Sequence, residues 1–344
     1  QKKQKYSVDN EAIREYFPVD QVITAVFDIY QHLLTVKFTE ITPAYAWAPD
    51  VRLFEVRDAV PGSNNALIGH FYLDLYPREN KYKHFAAFDI IHARRNKDGS
   101  YHTPVSSVVG NFPKAAPGKP ALLLHDDVET FFHEFGHIMH QTLTSARYSS
   151  LAGTNVRGDF VEAPSQMLEN WVWNRDILRK ISKHYKTGAP LPDTLLDQMI
   201  AAKHANEGIT WSRQLFFATF DMLIHTSGEK VDTTKAWNDL APQIFLMSET
   251  DGAAAQASFG HLMGGYDAGY YGYLWSKVYA QDMFTVFEQA GLESPVAGAR
   301  YREWILKPGG TQEPEVLITN FLGRAPNKDA FYRSLGIGPS SALK

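Results

Sequence analysis

The sequence contains no cysteine among its 344 residues. This absence excludes disulfide bonds, thiolate metal sites and cysteine nucleophiles. No run approaches the eighteen or so apolar residues of a membrane-spanning helix, so we expect no integral membrane segment. The net charge of −4, from 34 basic and 38 acidic residues, gives no whole-chain attraction to a phosphate backbone. We therefore expect neither a membrane nor a nucleic acid as partner.

The sequence also lacks a recognisable secretory signal, because residues 1–5 are polar and basic and no apolar stretch follows them. This favours a cytoplasmic location. The composition that is present, 44% apolar and 21% charged, is typical of a globular protein. We find no internal repeat, low-complexity tract or long linker, and we expect one domain over residues 1–344.

Apolar periodicity divides the chain into three parts. Residues 1–45 are predicted to be a helical N-terminal segment, because apolar residues recur three and four apart over 9–39. Residues 50–112 are predicted to form a small antiparallel or mixed sheet. The expected strands are 51–57, 67–76, 84–92 and 103–111.

Residues 121–344 are predicted to be helical, which makes the fold class mainly α with a small β-sheet. The expected helices are 127–144, 163–184, 193–226, 233–247, 273–290, 295–305, 313–322 and 328–334. Two loops rich in glycine, serine and threonine, 145–160 and 248–272, interrupt this part. Loops held on a rigid frame are where sites tend to lie.

Residues 131–140 read Phe-Phe-His-Glu-Phe-Gly-His-Ile-Met-His. His133 and His137 are four apart, so a helix presents both imidazoles on one face, where they can bind one Zn²⁺. Glu134 lies beside the first histidine and can reach a metal-bound water as general base. Asp126 is the expected N-cap of this helix. The alternative is a helix whose polar face carries solvated histidine and glutamate.

A third ligand must come from elsewhere in the chain. Glu162 and Glu169 lie seven residues apart, at the start of a helix that Pro164 predicts. One carboxylate can bind the metal while the other hydrogen-bonds a ligand histidine from the second coordination shell. Spacing alone favours Glu162 as the ligand only slightly, and solvated charges are the alternative.

A glycine-rich segment, 259–273, follows later in the chain. Its glycines permit backbone conformations closed to other residues. His261, Tyr266, Tyr270 and Tyr273 supply hydrogen-bond donors for a substrate carbonyl or a developing oxyanion. From the residues alone, packing in the core is the commoner role of such tyrosines.

Four segments together resemble the catalytic half of the thimet oligopeptidase and neurolysin family, which includes oligopeptidase A and dipeptidyl carboxypeptidase. They are residues 71–79, 132–140, 159–171 and 259–275. The resemblance implies a zincin-like catalytic domain that binds one Zn²⁺ per chain. By motif position it implies His133, His137 and Glu162 as zinc ligands and Glu134 as general base. It also implies substrate-facing roles for His261, Tyr266, Tyr270 and Tyr273.

The resemblance further implies a zinc metallopeptidase that cleaves internal bonds of short peptides. A dipeptidyl carboxypeptidase of the same family is one alternative, and a zinc hydrolase of another amide or ester is a second. A non-catalytic zinc-containing peptide-binding module is the third, although such a module needs no base such as Glu134. Family members are generally about twice as long, so an N-terminal half of the same protein is an expected partner beside peptide substrates.

Overall fold

The computed structural model describes residues 6, 8–43, 45–228, 230–248, 250 and 252–337, so the basic segment 1–5 lies outside the described residues. The first helices are α1 (Asn10–Arg14) and α2 (Val19–Leu34). Helix α2 buries one apolar face, to which Val22, Val26 and Leu33 belong. This face is the stripe that the periodicity predicted.

The prediction of a helical segment is wrong over residues 36–41. Helix α2 ends at Leu34, Thr35 adopts a left-handed conformation with φ of 53°, and strand β1 (Val36–Ile41) begins. Val36 and Phe38 fit a period of two as well as the helical period, so periodicity could not separate the two states. The sheet therefore begins inside the segment that was expected to be helical.

Six further strands follow β1 in the described residues: β2 (Arg52–Asp58), β3 (Leu67–Asp74), β4 (Ala86–Ile91), β5 (Arg94–Arg95), β6 (Tyr101–His102) and β7 (Val105–Val109). The main sheet has five strands in the order β1-β2-β3-β7-β4. Strands β3 and β7 are parallel, whereas the other neighbours in this sheet are antiparallel. Strands β5 and β6 pair separately. The sheet is thus mixed, and the predicted fold class is confirmed.

The second part of the chain is helical. Its helices are α3 (His125–Leu143), α4 (Ala163–Leu168), α5 (Arg175–Ile181), α6 (Asp193–Ala202), α7 (Glu207–Thr226), α8 (Thr233–Ile244), α9 (Gly272–Ala290), α10 (Pro295–Tyr301), α11 (Pro314–Leu322) and α12 (Asp329–Ser334). Short 3₁₀ turns cover Ser149–Leu151, Glu169–Trp173, Ala255–Ser258, Gly260–Met263 and Gly309–Thr311, and a π-helical turn covers Arg302–Leu306. Within the described ranges, no helix combines the length and apolarity that crossing a membrane requires.

Two helices predicted as continuous are interrupted at asparagine. The stretch 163–184 breaks at Asn174, whose side chain accepts the N–H groups of Asp176 and Ile177 at 3.0 and 3.2 Å and so caps α5. The stretch 193–226 breaks at Asn206, which has φ of 66°. Asparagine tolerates this left-handed conformation better than most residues. Apolar periodicity alone did not reveal either break.

The predicted N-cap of α3 is also wrong. The helix begins at His125, so Asp126 lies in the first turn. The carboxylate that serves the helix start is Asp127, which accepts the backbone N–H of Leu124 at 2.8 Å. The helix that carries the two histidines nevertheless forms as predicted.

Helix α3 is held against the sheet by aromatic packing. Phe135 lies 5.2 Å from Phe71 of β3 and 5.2 Å from Phe27 of α2, between ring centroids. On another side of α3, Gly136 allows α4 to come close, because a Cβ at this position would lie 2.9 Å from Ser165 Cα. Phe135 and Gly136 therefore fix α3 between the sheet and α4.

A second apolar cluster supports the glycine-rich segment. It joins α7 and α8 to the chain after α8, and its buried members are Phe216, Ala218, Phe220, Trp237, Ala241, Phe259 and Tyr270. Because Phe259 and Tyr270 are part of it, both ends of this segment are packed against a helical frame.

Candidate metal centre and active site

His133, His137 and Glu162 converge on one point. The Nε2 atoms of His133 and His137 lie 3.2 and 3.1 Å from Oε2 of Glu162. Helix α3 presents both imidazoles on one face, and Glu162 immediately precedes α4. The close approach at Gly136 brings these two elements together. The fold thus assembles the three predicted ligands.

This donor set fits a zinc-sized ion. Ligands about 2.1 Å from a tetrahedral ion lie roughly 3.4 Å from one another, near the two observed nitrogen–oxygen separations. The three ligand atoms all lie within 4.8 Å of each other. Two imidazoles and one carboxylate are also the ligand types that suit zinc and leave a coordination position open.

Two of the candidate ligands have hydrogen-bonded supports. Nδ1 of His133 lies 2.8 Å from Oε1 of Glu169. If Nδ1 carries the hydrogen and donates it to Glu169, the lone pair of Nε2 is free to bind a metal. Glu169 thus makes the hydrogen bond to a ligand histidine that was predicted for it. The remaining oxygen of Glu162, Oε1, accepts the Tyr266 hydroxyl at 2.7 Å. Each of these contacts fixes the direction in which a ligand atom points.

The two glutamates are carboxylates at neutral pH. Burial alone would raise the pKa of Glu162, but His137 and His133 hold it well below its usual range. Burial likewise opposes ionisation of Glu169, yet Lys277 and His133 lower its pKa to about 2. Both carboxylates therefore stay ionised in the site.

Glu134 lies next to His133 in α3 and is 8% exposed. Its charge acts on the Tyr266 hydroxyl, whose pKa is raised by burial, by Glu162 and, to a lesser degree, by Glu134. The candidate general base is therefore near the glycine-rich segment as well as the metal group.

Three of the predicted substrate-facing residues form one aromatic group. The rings of Tyr266 and Tyr273 stack with centroids 5.0 Å apart, and His261 lies 5.7 Å from each. Burial, followed by the charge of Glu162, raises the pKa of both tyrosine hydroxyls. Both are therefore neutral phenols near pH 7 and can donate a hydrogen bond.

Tyr270 is placed differently from the other three residues. Its ring lies 5.0 Å from His261, but its hydroxyl donates to Oε1 of Gln214 in α7 at 3.0 Å. This contact ties the glycine-rich segment to the helical frame. The part of Tyr270 in substrate binding stays a prediction.

Sequence reasoning missed Asp221 of α7. This fully buried carboxylate accepts the backbone N–H groups of Ala268 and Tyr270, both at 2.9 Å. It thereby holds Ala268 in a left-handed conformation with φ of 53°. The sequence did contain a signal for this buried carboxylate, because Asp221 is an acidic residue directly after Phe220 on the apolar side of a helix.

Replacing Asp221 by alanine is expected to release the glycine-rich segment. The buried N–H of Tyr270 and the partly buried N–H of Ala268 lose a charged acceptor. A hydrogen bond to a charged group contributes about 1.5–3 kcal/mol. We expect a lower urea midpoint and faster hydrogen exchange at the Ala268 and Tyr270 amides. Asp267→Ala removes an exposed carboxylate of the same segment and is the matched control. Equal exchange rates in both variants would contradict the anchoring role.

The other histidines of α3 lie outside the metal group. His140 is fully buried, and burial lowers its pKa to about 3, so it is neutral. Within the described part of the chain, neither of its ring nitrogens has a hydrogen-bond partner. His125, Asp126 and Glu129 form a second group close enough for an ion. However, His125 Nε2 lies 2.8 Å from the Val172 carbonyl, and Glu129 accepts the Trp173 indole at 2.9 Å.

The histidine pair with its adjacent glutamate and the nearby third carboxylate match the pattern of H-E-x-x-H metallopeptidases. A family model described as peptidase family M3 matches residues 1–337. The chain belongs to peptidase family M3, a family of metallopeptidases. The resemblance to thimet oligopeptidase found in the sequence is thereby confirmed.

Curated relatives agree with this family. A thimet-like oligopeptidase of Dictyostelium discoideum is 43% identical over 338 residues, which is 97% of this chain and 50% of the relative. Saccharolysin of Saccharomyces cerevisiae is 39% identical over 344 residues, 97% and 48% of the two chains. Oligopeptidase A of Escherichia coli is also 39% identical, over 98% and 50%. The chain spans about half the length of the curated relatives it matches.

Solved structures show the same fold at low sequence identity. A carboxypeptidase of Pyrococcus furiosus has a TM-score of 0.54 at 13% identity, covering 93% of this chain and 58% of that one. An M32 carboxypeptidase of Deinococcus radiodurans R1 has a TM-score of 0.53 at 14% identity, with the same coverage of 93% and 58%.

Proposed function

We propose that this chain carries the active site of a zinc oligopeptidase, which hydrolyses internal bonds of short peptides and binds one Zn²⁺. The observation that supports this proposal is the convergence of His133, His137 and Glu162, with Glu134 beside them. A structural zinc site needs no such base. On the side of the glycine-rich segment, the neutral phenol of Tyr273 adds a donor, and its ring stacks on that of Tyr266.

In the proposed mechanism, His133, His137 and Glu162 hold the ion. When bound, zinc supplies Lewis-acid chemistry toward a carbonyl and an attacking water. Glu134 accepts a proton from that water and returns it to the leaving amine. Tyr273, with His261, donates a hydrogen bond to the oxyanion that develops on the scissile carbonyl. Tyr266 could do the same only after its hydroxyl leaves Oε1 of Glu162, to which it donates at 2.7 Å. Glu169 keeps His133 in the orientation that binding requires.

A quenched fluorescent peptide tests this function. We expect cleavage that a chelator abolishes and that added zinc restores. Mass spectrometry of the products separates the alternatives, since an oligopeptidase cleaves a C-terminally amidated peptide internally, whereas a dipeptidyl carboxypeptidase requires a free carboxylate. Binding of the peptide without cleavage, in the zinc-loaded protein, would favour the non-catalytic module.

Tyr273→Phe is expected to lower kcat by roughly 10²–10³ with little change in KM. The reason is that its hydroxyl is proposed to meet charge that exists only in the transition state. Steady-state kinetics on the same peptide measures both constants. Tyr271→Phe, two residues earlier and 38% exposed, is the matched control and should keep wild-type kcat. A change in KM alone would make Tyr273 a binding residue.

We propose two kinds of partner for this chain: peptide substrates and an N-terminal half of the same protein. The chain matches about half of each curated relative described above. Leu215, Met222 and Leu223 are also exposed on α7, and apolar side chains grouped in this way are typical of an interaction surface. The cytoplasmic location stays a prediction.

A further inference from the structure

We propose that Lys277 of α9 is a positioning residue for the metal group, because it fixes the carboxylate that orients His133. This inference rests on the proposed zinc site. Among the described residues, the hydrogen bond of Lys277 goes to Glu169 and not to His133, His137 or Glu162. Its effect would pass through Glu169.

A chain of two short contacts leads from Lys277 to His133. The ammonium Nζ donates to Oε2 of Glu169 at 2.6 Å, and Oε1 of Glu169 lies 2.8 Å from Nδ1 of His133. Each carboxylate oxygen therefore serves one partner. The carboxylate cannot rotate away from the imidazole without also losing the ammonium.

Both contacts are largely shielded from water. The side chains of Lys277, Glu169 and His133 are 15%, 19% and 18% exposed. Ion pairs in such surroundings are screened less than pairs on the surface. The contact therefore restrains Glu169 more firmly than an exposed lysine would.

A second glutamate, Glu129, repels the carboxylate of Glu169, and the ammonium of Lys277 offsets this repulsion. Glu129 precedes His133 by one turn of α3, and its pKa is raised by burial and by the charge of Glu169. The two carboxylates therefore repel each other. Without the ammonium of Lys277, this repulsion would act on Glu169 with less opposition and turn it away from His133.

Helix α9 couples this support to the aromatic group. Lys277 follows Tyr273 by four residues, so both side chains project from one face of α9. The start of α9 is docked on the segment before Glu162. Ser276 donates to the Asp159 carbonyl at 2.9 Å, and a Cβ on Gly272 would lie 2.8 Å from the Gly158 carbonyl oxygen. One helix thus places a donor near Glu162 and an ammonium on Glu169.

Removing the ammonium of Lys277 should change the zinc affinity in opposite directions, depending on whether Lys277 positions Glu169 or only repels the ion by its charge. Coulomb repulsion between Lys277 and a bound cation predicts tighter zinc binding when the ammonium is removed. Loss of position predicts weaker binding, because His133 is no longer held in the orientation that binding requires. These expectations have opposite signs.

The test is the zinc dissociation constant of the wild type, Lys277→Met and Lys277→Arg, measured by competition with a chelating dye. We expect Lys277→Met to bind zinc roughly tenfold more weakly, at the low end of the effect of outer-shell partners. Lys277→Arg retains a cation with N–H donors and should recover most of the affinity. Lys235→Met is the control, since this exposed lysine of α8 pairs with Asp239, and it should bind zinc as the wild type does.

Thermal midpoints of the metal-free proteins show whether each variant is folded. If Lys277→Met is unfolded, Lys277→Leu, which is neutral and also lacks an N–H donor, should show the same weakening. Unchanged or tighter zinc binding in a folded neutral variant overturns the proposal. Failure of the wild type to bind zinc, or equal binding by His137→Ala, overturns the metal site itself, whatever Lys277 does.

Discussion

Glu134→Gln is expected to retain zinc and to have a kcat lower by a factor of about 10² to 10⁴, which is the usual contribution of a general base to the rate. The amide has nearly the same size as the carboxylate but cannot accept a proton from water. Glu134 is 8% exposed and lies near both His133 and Tyr266, so the substitution should not disturb the surface. The measurements are kcat on a fluorescent peptide and zinc content per chain.

Measuring the zinc content of Glu134→Gln distinguishes loss of the general base from loss of the metal. A variant that lost both zinc and activity would report a damaged site, whereas full zinc with low kcat identifies the base. Glu315→Gln, which changes an exposed carboxylate of α11, should keep wild-type kinetics. Wild-type kcat in zinc-loaded Glu134→Gln would remove Glu134 from the mechanism.

His137→Ala is expected to leave almost no zinc and no measurable cleavage. The imidazole is one of three candidate ligands, and its Nε2 lies 3.1 Å from Glu162. Loss of a direct ligand should weaken binding by more than the 10- to 100-fold that loss of an outer-shell partner typically costs. Metal analysis after gel filtration measures the occupancy, and the peptide assay measures the activity.

His140→Gln is the matched control for His137, because it changes a buried histidine of the same helix that lies outside the metal group. It should keep its zinc. Full occupancy in His137→Ala would show that the ion binds elsewhere. The group of His125, Asp126 and Glu129 would then be the next candidate.

The parts of the site that are local in sequence could be predicted from it. His133, Glu134 and His137 lie within about one turn of a helix. The four-residue spacing of the two histidines places both imidazoles on the same face of that helix. Glu162 lies 25 residues beyond His137. Spacing favoured it only slightly, and only the resemblance to a family selected it.

Two supports of the site, Lys277 and Asp221, are remote in sequence from the residues they hold and were missed, whereas Glu169 was predicted. Lys277 and Glu169 are 108 residues apart, and Asp221 and Tyr270 are 49 apart. Neither Lys277 nor Asp221 belongs to a motif. An isolated charged residue in a helix is compatible with a solvated position, so only the tertiary fold reveals the contact that it makes.

The errors in secondary structure have a related cause. Apolar periodicity reports which face of an element is buried, but it does not report where the backbone turns. At Thr35 and Asn206 a single left-handed residue ends or divides a helix while apolar residues continue beyond it. Such points depend on one residue and its tertiary surroundings.

The close approach at Gly136 has a consequence for the flexibility of the protein. Helices α3 and α4 are separate elements joined by the stretch 144–162. Helix α3 carries two of the candidate ligands, and the third, Glu162, immediately precedes α4. An ion held by His137 and Glu162 would act as a non-covalent cross-link that closes a loop between residues 25 apart in sequence. Such a cross-link restricts the fluctuations of the connecting chain and opposes separation of the two helices. The same ion that activates water would then also fasten α4 to α3.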